Sequence, residues 1–259
     1  MASPSPQSRT PAEYNSKPPR QSSQPRSLVS RISSLIKRLF WSVILLVVAF
    51  YIMVAGLLKV WETQPINNSM FMLAHRLDGS TVTQTWVDYD AIAKSAKQAA
   101  IASEDAKFVT HEGFDMEGIE AAIEKNKATG ELSAGGSTIT QQLAKNLFLT
   151  SHRSFIRKGV EASITLMIEK MWSKERILTA YLNVAEFGDG IYGIEAAAQH
   201  YFDKPASKLN REESALLICM LTNPKYYQDN MDAKRLRNKQ RIILRRMNSA
   251  SLPVPKSAP

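Results

Sequence analysis

The chain has 259 residues, 44% of them hydrophobic, and a formal net charge of +9. The positive charge lies at the ends: seven Lys or Arg residues against one Glu before residue 39, and nine against two Asp residues from Lys225 onward, which leaves −4 for the middle. A nucleic-acid-binding protein would carry a basic stripe through its folded domain, so this distribution argues against nucleic acid as a partner. The lone Cys219 excludes an intrachain disulfide, and its apolar surroundings favour a small core residue.

The N-terminal part of the chain predicts a disordered tail followed by a membrane anchor. Residues 1–38 are rich in Ser, Pro, Gln and Arg, so we predict a disordered cytoplasmic tail. Residues 39–58 contain no charged side chain, and about twenty helical residues cross a hydrocarbon core of roughly 30 Å. A cleaved signal peptide is the competing interpretation, but the apolar run is too long for one. By the positive-inside rule, the N-terminus is cytoplasmic and the rest of the chain lies outside.

Beyond the anchor, the sequence predicts one short strand and then only helices. Residues 80–87 alternate and are β-branched, which indicates a short strand or an extended linker. Periodicity and capping residues predict helices over the following segments: 91–102, 116–127, from Ser137, from Ser154, 173–182, 194–201, and from Asn210 to Pro224. A glycine-rich loop covers 188–193. We therefore place a folded domain over 70–227 and a basic C-terminal extension over 228–259, disordered after Ser249 and suited to anionic lipid.

Capping residues and apolar stripes define several of these helices. Asp115 and Ser137 are predicted N-caps, and Asn210 forms a capping box with Glu213. Two helices are expected to bury apolar residues spaced three or four apart: Ile139, Leu143 and Leu147 in the first, and Ile156, Val160, Ile164, Met167 and Met171 in the second.

An acidic pair is the first feature that points to chemistry. Glu104 and Asp105 are followed by Phe108 and His111. Adjacent carboxylates beside an aromatic ring suit general acid or base catalysis, because desolvation and like charge shift proton affinity. Taken alone, however, an acidic pair is more often a solvated helix face.

A group of polar and basic residues follows the acidic pair. Ser137, Gln141 and Lys145 recur every four residues on one predicted helix face, and three cations come next: Arg153, Arg157 and Lys158. Such groups can converge on a phosphorylated ligand, although ordinary surface charge is the alternative. Glu161 lies one turn beyond Arg157, so it either forms a simple salt bridge or holds the cations or a metal in place.

Five blocks in order carry a resemblance to a known family. They run from Glu104 to Gly113, Gly135 to Asn146, Arg157 to Glu161, Lys174 to Asn183 and Gly193 to Phe202. Together they resemble the motifs of the family 51 glycosyltransferases, which polymerise lipid II into peptidoglycan glycan strands. The resemblance covers roughly residues 101–227. The bifunctional members continue into a transpeptidase domain, for which this chain has no room after Arg246, so we expect the monofunctional type without transpeptidase activity.

The resemblance implies a fold and a reaction. The fold would be mostly α, a lysozyme-like glycosyltransferase domain with a smaller membrane-facing lobe, preceded by one transmembrane helix. Glu104 would be the general base that takes a proton from the 4-hydroxyl of the acceptor lipid II, whose oxygen attacks C1 of the donor and inverts it. Lys145, Arg153 and Lys158 would meet the departing diphosphate, and Glu161 would be a second catalytic acid supporting them.

The same resemblance supplies the remaining expectations. The substrate-binding residues would be Asp105, His111, Ser137, Thr138, Gln141, Lys145, Arg153, Arg157, Lys158 and Asn183. No cofactor is required by the sequence, and a divalent cation such as Mg²⁺ or Mn²⁺ is compatible with it. The partners would be lipid II, the growing lipid-linked glycan and the membrane, with other cell-wall synthesis or division proteins as further candidates. The location would be the inner membrane, with a periplasmic catalytic domain.

Two other functions remain open at this point, and so does the location of three apolar side chains near the cations. A lytic transglycosylase also uses an acid in a lysozyme-like fold, but it has no need for the cations. A noncatalytic anchor that recruits wall-synthesis proteins would keep the motifs only for binding. Leu147, Phe148 and Phe155 lie near the cations, where they would either dip into the membrane interface or pack in the core.

Overall fold

The computed structural model describes residues 28–129, 136–150, 152 and 154–254, without the side chains of 28–31, 125, 126 and 129. The predicted tail over residues 1–27 and the predicted ligand Arg153 therefore lie outside the described residues. By contacts, the chain divides into two units, Met1–Ala49 and Phe50–Pro259.

The N-terminal helix α1 runs from Leu28 to Trp61. Within it, the 30 residues Ile32–Trp61 are long and apolar enough to cross a membrane, which agrees with the span predicted over 39–58. The prediction of disorder up to residue 38 is wrong for residues 28–38, which are helical. Neither Pro nor Gly occurs among them, so a helix already formed in the apolar run extends toward the N-terminus at little cost.

The last three turns of α1 belong to the second unit. Val54 and Leu58 are fully buried there. The indole N–H of Trp172 donates to the Leu58 carbonyl at 2.8 Å, and the Tyr51 hydroxyl lies 2.6 Å from the Ser163 hydroxyl. These residues are therefore part of the folded core of that unit.

The rest of the second unit is mostly helical, which confirms the predicted fold class, while the division into two lobes stays a prediction. The helices are α2 Met70–Leu77, α3 Lys94–Glu104, α4 Met116–Thr129, α5 Ile139–Phe148, α6 Phe155–Met171, α7 Lys174–Val184, α8 Ile194–Phe202, α9 Arg211–Met220, α10 Pro224–Tyr227 and α11 Lys234–Arg246. Short 3₁₀ turns cover Tyr89–Ala91, Ala206–Lys208 and Met247–Ser249. Helix α5 packs against α6 and α7, while α9 packs against α3 and α11.

A small sheet corrects the prediction that only helices follow the first strand. Strand β1 is Thr83–Gln84, and the segment predicted as a glycine loop forms β2 Glu186–Gly188 and β3 Ile191–Tyr192. Strand β3 lies in the middle, parallel to β1 and antiparallel to β2. The turn between β2 and β3 is possible because Gly190 adopts φ +74°, where the Thr81 carbonyl leaves no space for a Cβ atom.

Most predicted caps are confirmed, with one shift. Asp115 accepts from the Gly118 N–H at 3.0 Å, and Asn210 forms the capping box with Glu213. The cap of α5 is Thr138 rather than Ser137, because Thr138 and Gln141 have the spacing of a reciprocal capping box. At the other end of α9, Pro224 does not terminate the helix but opens α10.

The two predicted apolar stripes have different outcomes. Ile139, Leu143 and Leu147 are all buried, as expected for α5. In α6 the stripe is rotated: the buried residues are Glu161, Ile164, Thr165 and Ile168, whereas Ile156 is 83% exposed. Val160, Met167 and Met171 are only partly buried. The rotation turns the Glu161 carboxylate inward.

The C-terminal segment is not a separate extension. Helix α11 buries Leu236 and Ile243 against the preceding helices, because apolar residues seven apart share one face of a basic helix. Leu252 and Pro253 also pack against the domain, although disorder was predicted there; residues 255–259 lie outside the description. Cys219 is a buried core residue as predicted, and burial raises the pKa of its thiol to about 12.

Candidate active site

Glu104 is the last residue of α3 and is held by three donors. Its Oε1 accepts from the Ser103 hydroxyl at 2.6 Å and from Lys239 Nζ at 3.3 Å. Its Oε2 accepts from Gln142 Nε2 at 3.1 Å. The side chain is 16% exposed and lines a cleft together with Ser137. Glu104 is thus both oriented and accessible.

Gln142 is fixed by a buried tyrosine. The Tyr181 hydroxyl donates to Gln142 Oε1 at 3.2 Å. Burial raises the pKa of Tyr181 well above its usual value, with smaller contributions from the charges of Glu104 and Asp105, so this hydroxyl keeps its proton. Since the carbonyl end of the Gln142 amide faces Tyr181, its NH₂ end is directed toward Glu104.

Asp105, His111 and Thr138 join α3 to α5. Asp105 Oδ2 accepts from the Ile139 N–H at 3.0 Å, and its Oδ1 lies 2.8 Å from His111 Nε2. The Gly113 N–H donates to His111 Nδ1, which means that the proton of a neutral ring is on Nε2 and is donated to Asp105. Thr138 caps α5 and donates to the Gly113 carbonyl. Their polar groups are engaged within the protein.

A second cleft contains the cations. It has a volume of about 390 Å³ and is lined by Phe71, Ser137, Gln141, Gln142, Lys145, Arg157, Lys158 and Glu161. Glu161 is 3% exposed and receives Arg157 Nη1 at 2.9 Å and the Lys158 ammonium. The Lys145 ammonium lies 5.8 Å from the centre of the Phe71 ring. Three cations and one carboxylate give this cleft a positive charge that suits a phosphorylated group.

The acid and the cations lie beside the same stretch of α5. Ser137 lines both clefts, and Gln142 lines the cationic cleft while donating to Glu104. Lys158 Nζ reaches to 3.5 Å from the Ser137 hydroxyl. The two groups singled out in the sequence therefore meet around the start of one helix.

Gln141 and Gln142 make different contacts, although both line the cationic cleft. The side-chain Oε1 of Gln141 accepts from the Thr138 N–H and closes the capping box. It is Gln142 that contacts Glu104. The capping-box spacing of Thr138 and Gln141 is visible in the sequence and would have distinguished Gln141, which caps the helix, from Gln142. Lys239 carried no such signal, because it lies 135 positions from Glu104.

Asn183 does not line either of the two clefts. It is fully buried, and its side chain accepts from the Val87 N–H while donating to the Val87 and Thr179 carbonyls, each at 2.8 Å. These three hydrogen bonds of the side chain all go to main-chain groups. These contacts favour a structural role, in which Asn183 fastens the segment after β1 to α7, over the predicted substrate binding.

Replacing Asn183 by Ala tests this structural role. The change leaves buried main-chain groups without partners, so we expect a loss of about 2–4 kcal/mol in the free energy of unfolding. Thermal unfolding of the purified variant measures the loss, and Asn67→Ala, at an exposed position, is the matched control. Unchanged thermal stability together with a raised KM would return Asn183 to the substrate site.

The cationic cleft does not supply a metal site among the described residues. Glu161, its only carboxylate, is already paired with Arg157 and Lys158. In the described part of the chain, the group with metal-ligand spacing is His75, Glu186 and Asp189, with ligand atoms within 4.8 Å of one another. The Lys225 ammonium is 2.5 Å from Asp189 and 3.8 Å from Glu186, so a cation from the protein already offsets part of the negative charge of this group. Burial raises the pKa of Glu186.

The fold and site define a mostly helical protein with an N-terminal apolar helix and a cleft system that pairs one oriented carboxylate with several cations. The profile of the family described as "Transglycosylase" matches residues 72–248, a range that includes α11. The chain therefore belongs to the transglycosylase family.

Similar proteins named "Biosynthetic peptidoglycan transglycosylase" occur in several bacteria. The protein of Acinetobacter baumannii is 50% identical over 198 residues, which cover 74% of this chain and 87% of that protein. The protein of Acinetobacter baylyi is 47% identical over 224 residues, covering 84% and 100% respectively. The protein of Dechloromonas aromatica is 48% identical over 203 residues, covering 78% and 88%.

Proposed function

We propose that this chain is a peptidoglycan glycosyltransferase that polymerises lipid II into linear glycan strands and releases undecaprenyl diphosphate during cell-wall synthesis. The relatives named as biosynthetic peptidoglycan transglycosylases support the peptidoglycan part of this proposal. One observation carries the reaction: an oriented carboxylate, Glu104, and a cationic cleft share the wall formed by Ser137 and Gln142. A transfer to a hydroxyl with a diphosphate leaving group needs these two features on opposite sides of the reacting carbon.

The proposed step is a single displacement. The acceptor 4-hydroxyl gives its proton to Glu104 as its oxygen forms a bond to C1 of the donor, and the bond between C1 and the diphosphate oxygen breaks. Glu104 Oε2 is the atom suited to receive the proton, since it accepts one hydrogen bond while Oε1 accepts two. The electron pair leaves with the diphosphate, and the single attack from the opposite side inverts C1.

The cations stabilise the charge that develops on the diphosphate. Lys145, Arg157 and Lys158 line the cleft assigned to it, and Arg153 joins them by resemblance. Fixed cations stabilise such charge without reorganisation during the reaction. Glu161 keeps Arg157 and Lys158 in position through its two ion pairs, so its role is orientation rather than proton transfer. No step is assigned to a metal.

The substrate lipid places this reaction at a membrane surface. We assign α1 as the single-pass anchor in the inner membrane, with the N-terminus cytoplasmic and residues 72–248 periplasmic as the catalytic domain. Of the three residues considered for the interface, Leu147 and Phe148 are buried in the core, whereas Phe155 is 99% exposed beside the exposed Ile156. The start of α6 therefore offers two apolar side chains to the lipid layer.

Incubation of the purified full-length chain with lipid II tests the proposed function. We expect glycan products that lengthen with time, separated by size, with no peptide cross-links among them. Shortening of preformed glycan would instead support the lytic alternative. Binding to lipid II without either activity would support the noncatalytic anchor.

The exposed pair at the start of α6 gives a further prediction. Replacing Phe155 and Ile156 together by Ser removes apolar surface that would enter the lipid, so we expect the apparent KM for lipid II in bilayer vesicles to rise about tenfold. The rate with lipid II in detergent micelles should change much less. Met116→Ser, also an exposed apolar position, is the control. Equal losses in vesicles and micelles would contradict a role at the membrane.

A further inference from the structure

A lysine from the C-terminal helix contacts the proposed base. Lys239 Nζ lies 3.3 Å from Glu104 Oε1 and donates to the Thr222 hydroxyl at 2.7 Å. The side chain is 33% exposed and that of Glu104 is 16% exposed, so the pair is only partly screened by water. None of the five sequence blocks contains this lysine, and its helix lies in the segment 228–259 that was predicted as an extension outside the domain.

The position of Lys239 is fixed by packing. Helix α11 packs against α3, which ends at Glu104, and against α9. On either side of Lys239, Leu236 and Ile243 are buried, and the Gln240 amide donates to the Glu212 carbonyl at 2.8 Å. With the helix held at these points and the ammonium bound to Thr222, the charge is presented to Glu104 at a defined place.

Other charged or titratable groups lie near Glu104, but in the described part of the chain none of them forms an ion pair with it as Lys239 does. From α3, the adjacent Asp105 is paired with His111, and from α7 the Tyr181 hydroxyl stays protonated. Asp115 and Arg246 line the same cleft, and the buried thiol of Cys219 on α9 is uncharged at neutral pH. Among the described residues, Lys239 is the basic group that forms an ion pair with Glu104.

We infer that Lys239 is a positioning residue that holds Glu104 Oε1 and leaves Oε2 free to receive the acceptor proton. By occupying Oε1 together with Ser103, Lys239 directs the remaining acceptor capacity to Oε2. This inference rests on the proposed function for its catalytic consequence, while the ion pair itself can be measured separately.

The kinetics of polymerisation test the inference. Replacing Lys239 by Met should lower kcat by about ten- to a hundredfold while leaving the KM for lipid II nearly unchanged, because the base stays in the site but loses a contact that orients it. Lys239→Arg should recover most of the rate. Lys234→Met removes the same charge from an exposed position on the same helix and should leave kcat unchanged. An unchanged kcat in Lys239→Met would overturn the inference.

A second measurement does not depend on turnover. Infrared spectra of the substrate-free protein, taken as a difference from Glu104→Gln, report the carboxylate stretching bands of Glu104 in wild type and in the Lys239 variants. We expect these bands to move in Lys239→Met and in Lys239→Gln, because a hydrogen bond to Oε1 is lost; identical bands would refute the pairing. If the bands move as expected but the wild type makes no polymer, the proposed function fails while the Lys239 contact stands.

Discussion

Glu104→Gln is expected to reduce glycan polymerisation by about 10²- to 10⁴-fold, the usual contribution of a general base. Glutamine has the same shape as glutamate and retains a carbonyl oxygen as a hydrogen-bond acceptor, but it cannot take the acceptor proton. The loss should therefore appear mainly in kcat, since the substrate contacts remain. The measurement is the rate of glycan polymerisation at saturating lipid II concentration.

Stability has to be measured alongside this activity. Glu104 is partly exposed and Lys239 keeps its bond to Thr222 in the variant, so we expect a small change in thermal stability. Glu120→Gln, at an exposed position of α4, is the matched control and should polymerise at the wild-type rate. Wild-type polymerisation by Glu104→Gln would remove this residue from the reaction and with it the proposed mechanism.

Lys145→Ala is expected to lower kcat by about 10²- to 10³-fold, comparable to the loss of one fixed donor that stabilises developing charge. Lys145 lines the cationic cleft and also the neighbouring cavity beside Tyr192, so a diphosphate that extends between them would pass this side chain. Lys145→Arg retains the charge and should recover part of the rate.

The control for Lys145→Ala is a lysine on helix α6. Lys170 is exposed on α6 and does not line either of the two clefts, so Lys170→Ala should retain wild-type turnover. Single-turnover measurements separate bond cleavage from product release, which is important because a diphosphate lipid also has to leave the cleft. A Lys145→Ala variant with normal single-turnover rates would place the charge stabilisation elsewhere.

Local patterns predicted the parts of the fold that depend on neighbouring residues. The core stripe of α5, the capping box at Asn210 and the apolar anchor all follow from spacing along one helix. The strands β2 and β3 were missed because their pairing joins short segments around glycines, with too few residues to show an alternating pattern. The rotated stripe of α6 was missed because a buried ion pair places the acidic Glu161 on the inner face.

The candidate site was likewise predicted where local motifs indicate it and missed where distant segments meet. The acidic block and the cationic block were recognised as motifs, and the structure brings them to the start of α5. Sequence alone did not distinguish a motif residue that faces a ligand from one that holds the backbone, as Asn183 illustrates. Contacts between distant segments, such as that of Lys239 with Glu104, require the packing of α11 and have no local signature.

The burial of Val54 and Leu58 has a practical consequence for making a soluble enzyme. Cutting the chain after Trp61 would do more than remove the apolar segment. It would expose the Trp172 ring and remove the acceptor of its indole N–H. It would also remove one of the two main-chain carbonyls, those of Trp61 and Gln64, that accept from the Arg176 guanidinium. Exposed aromatic surface of this kind promotes aggregation. A version for crystallisation should instead begin before Phe50 and replace only the outward-facing apolar side chains of the retained turns.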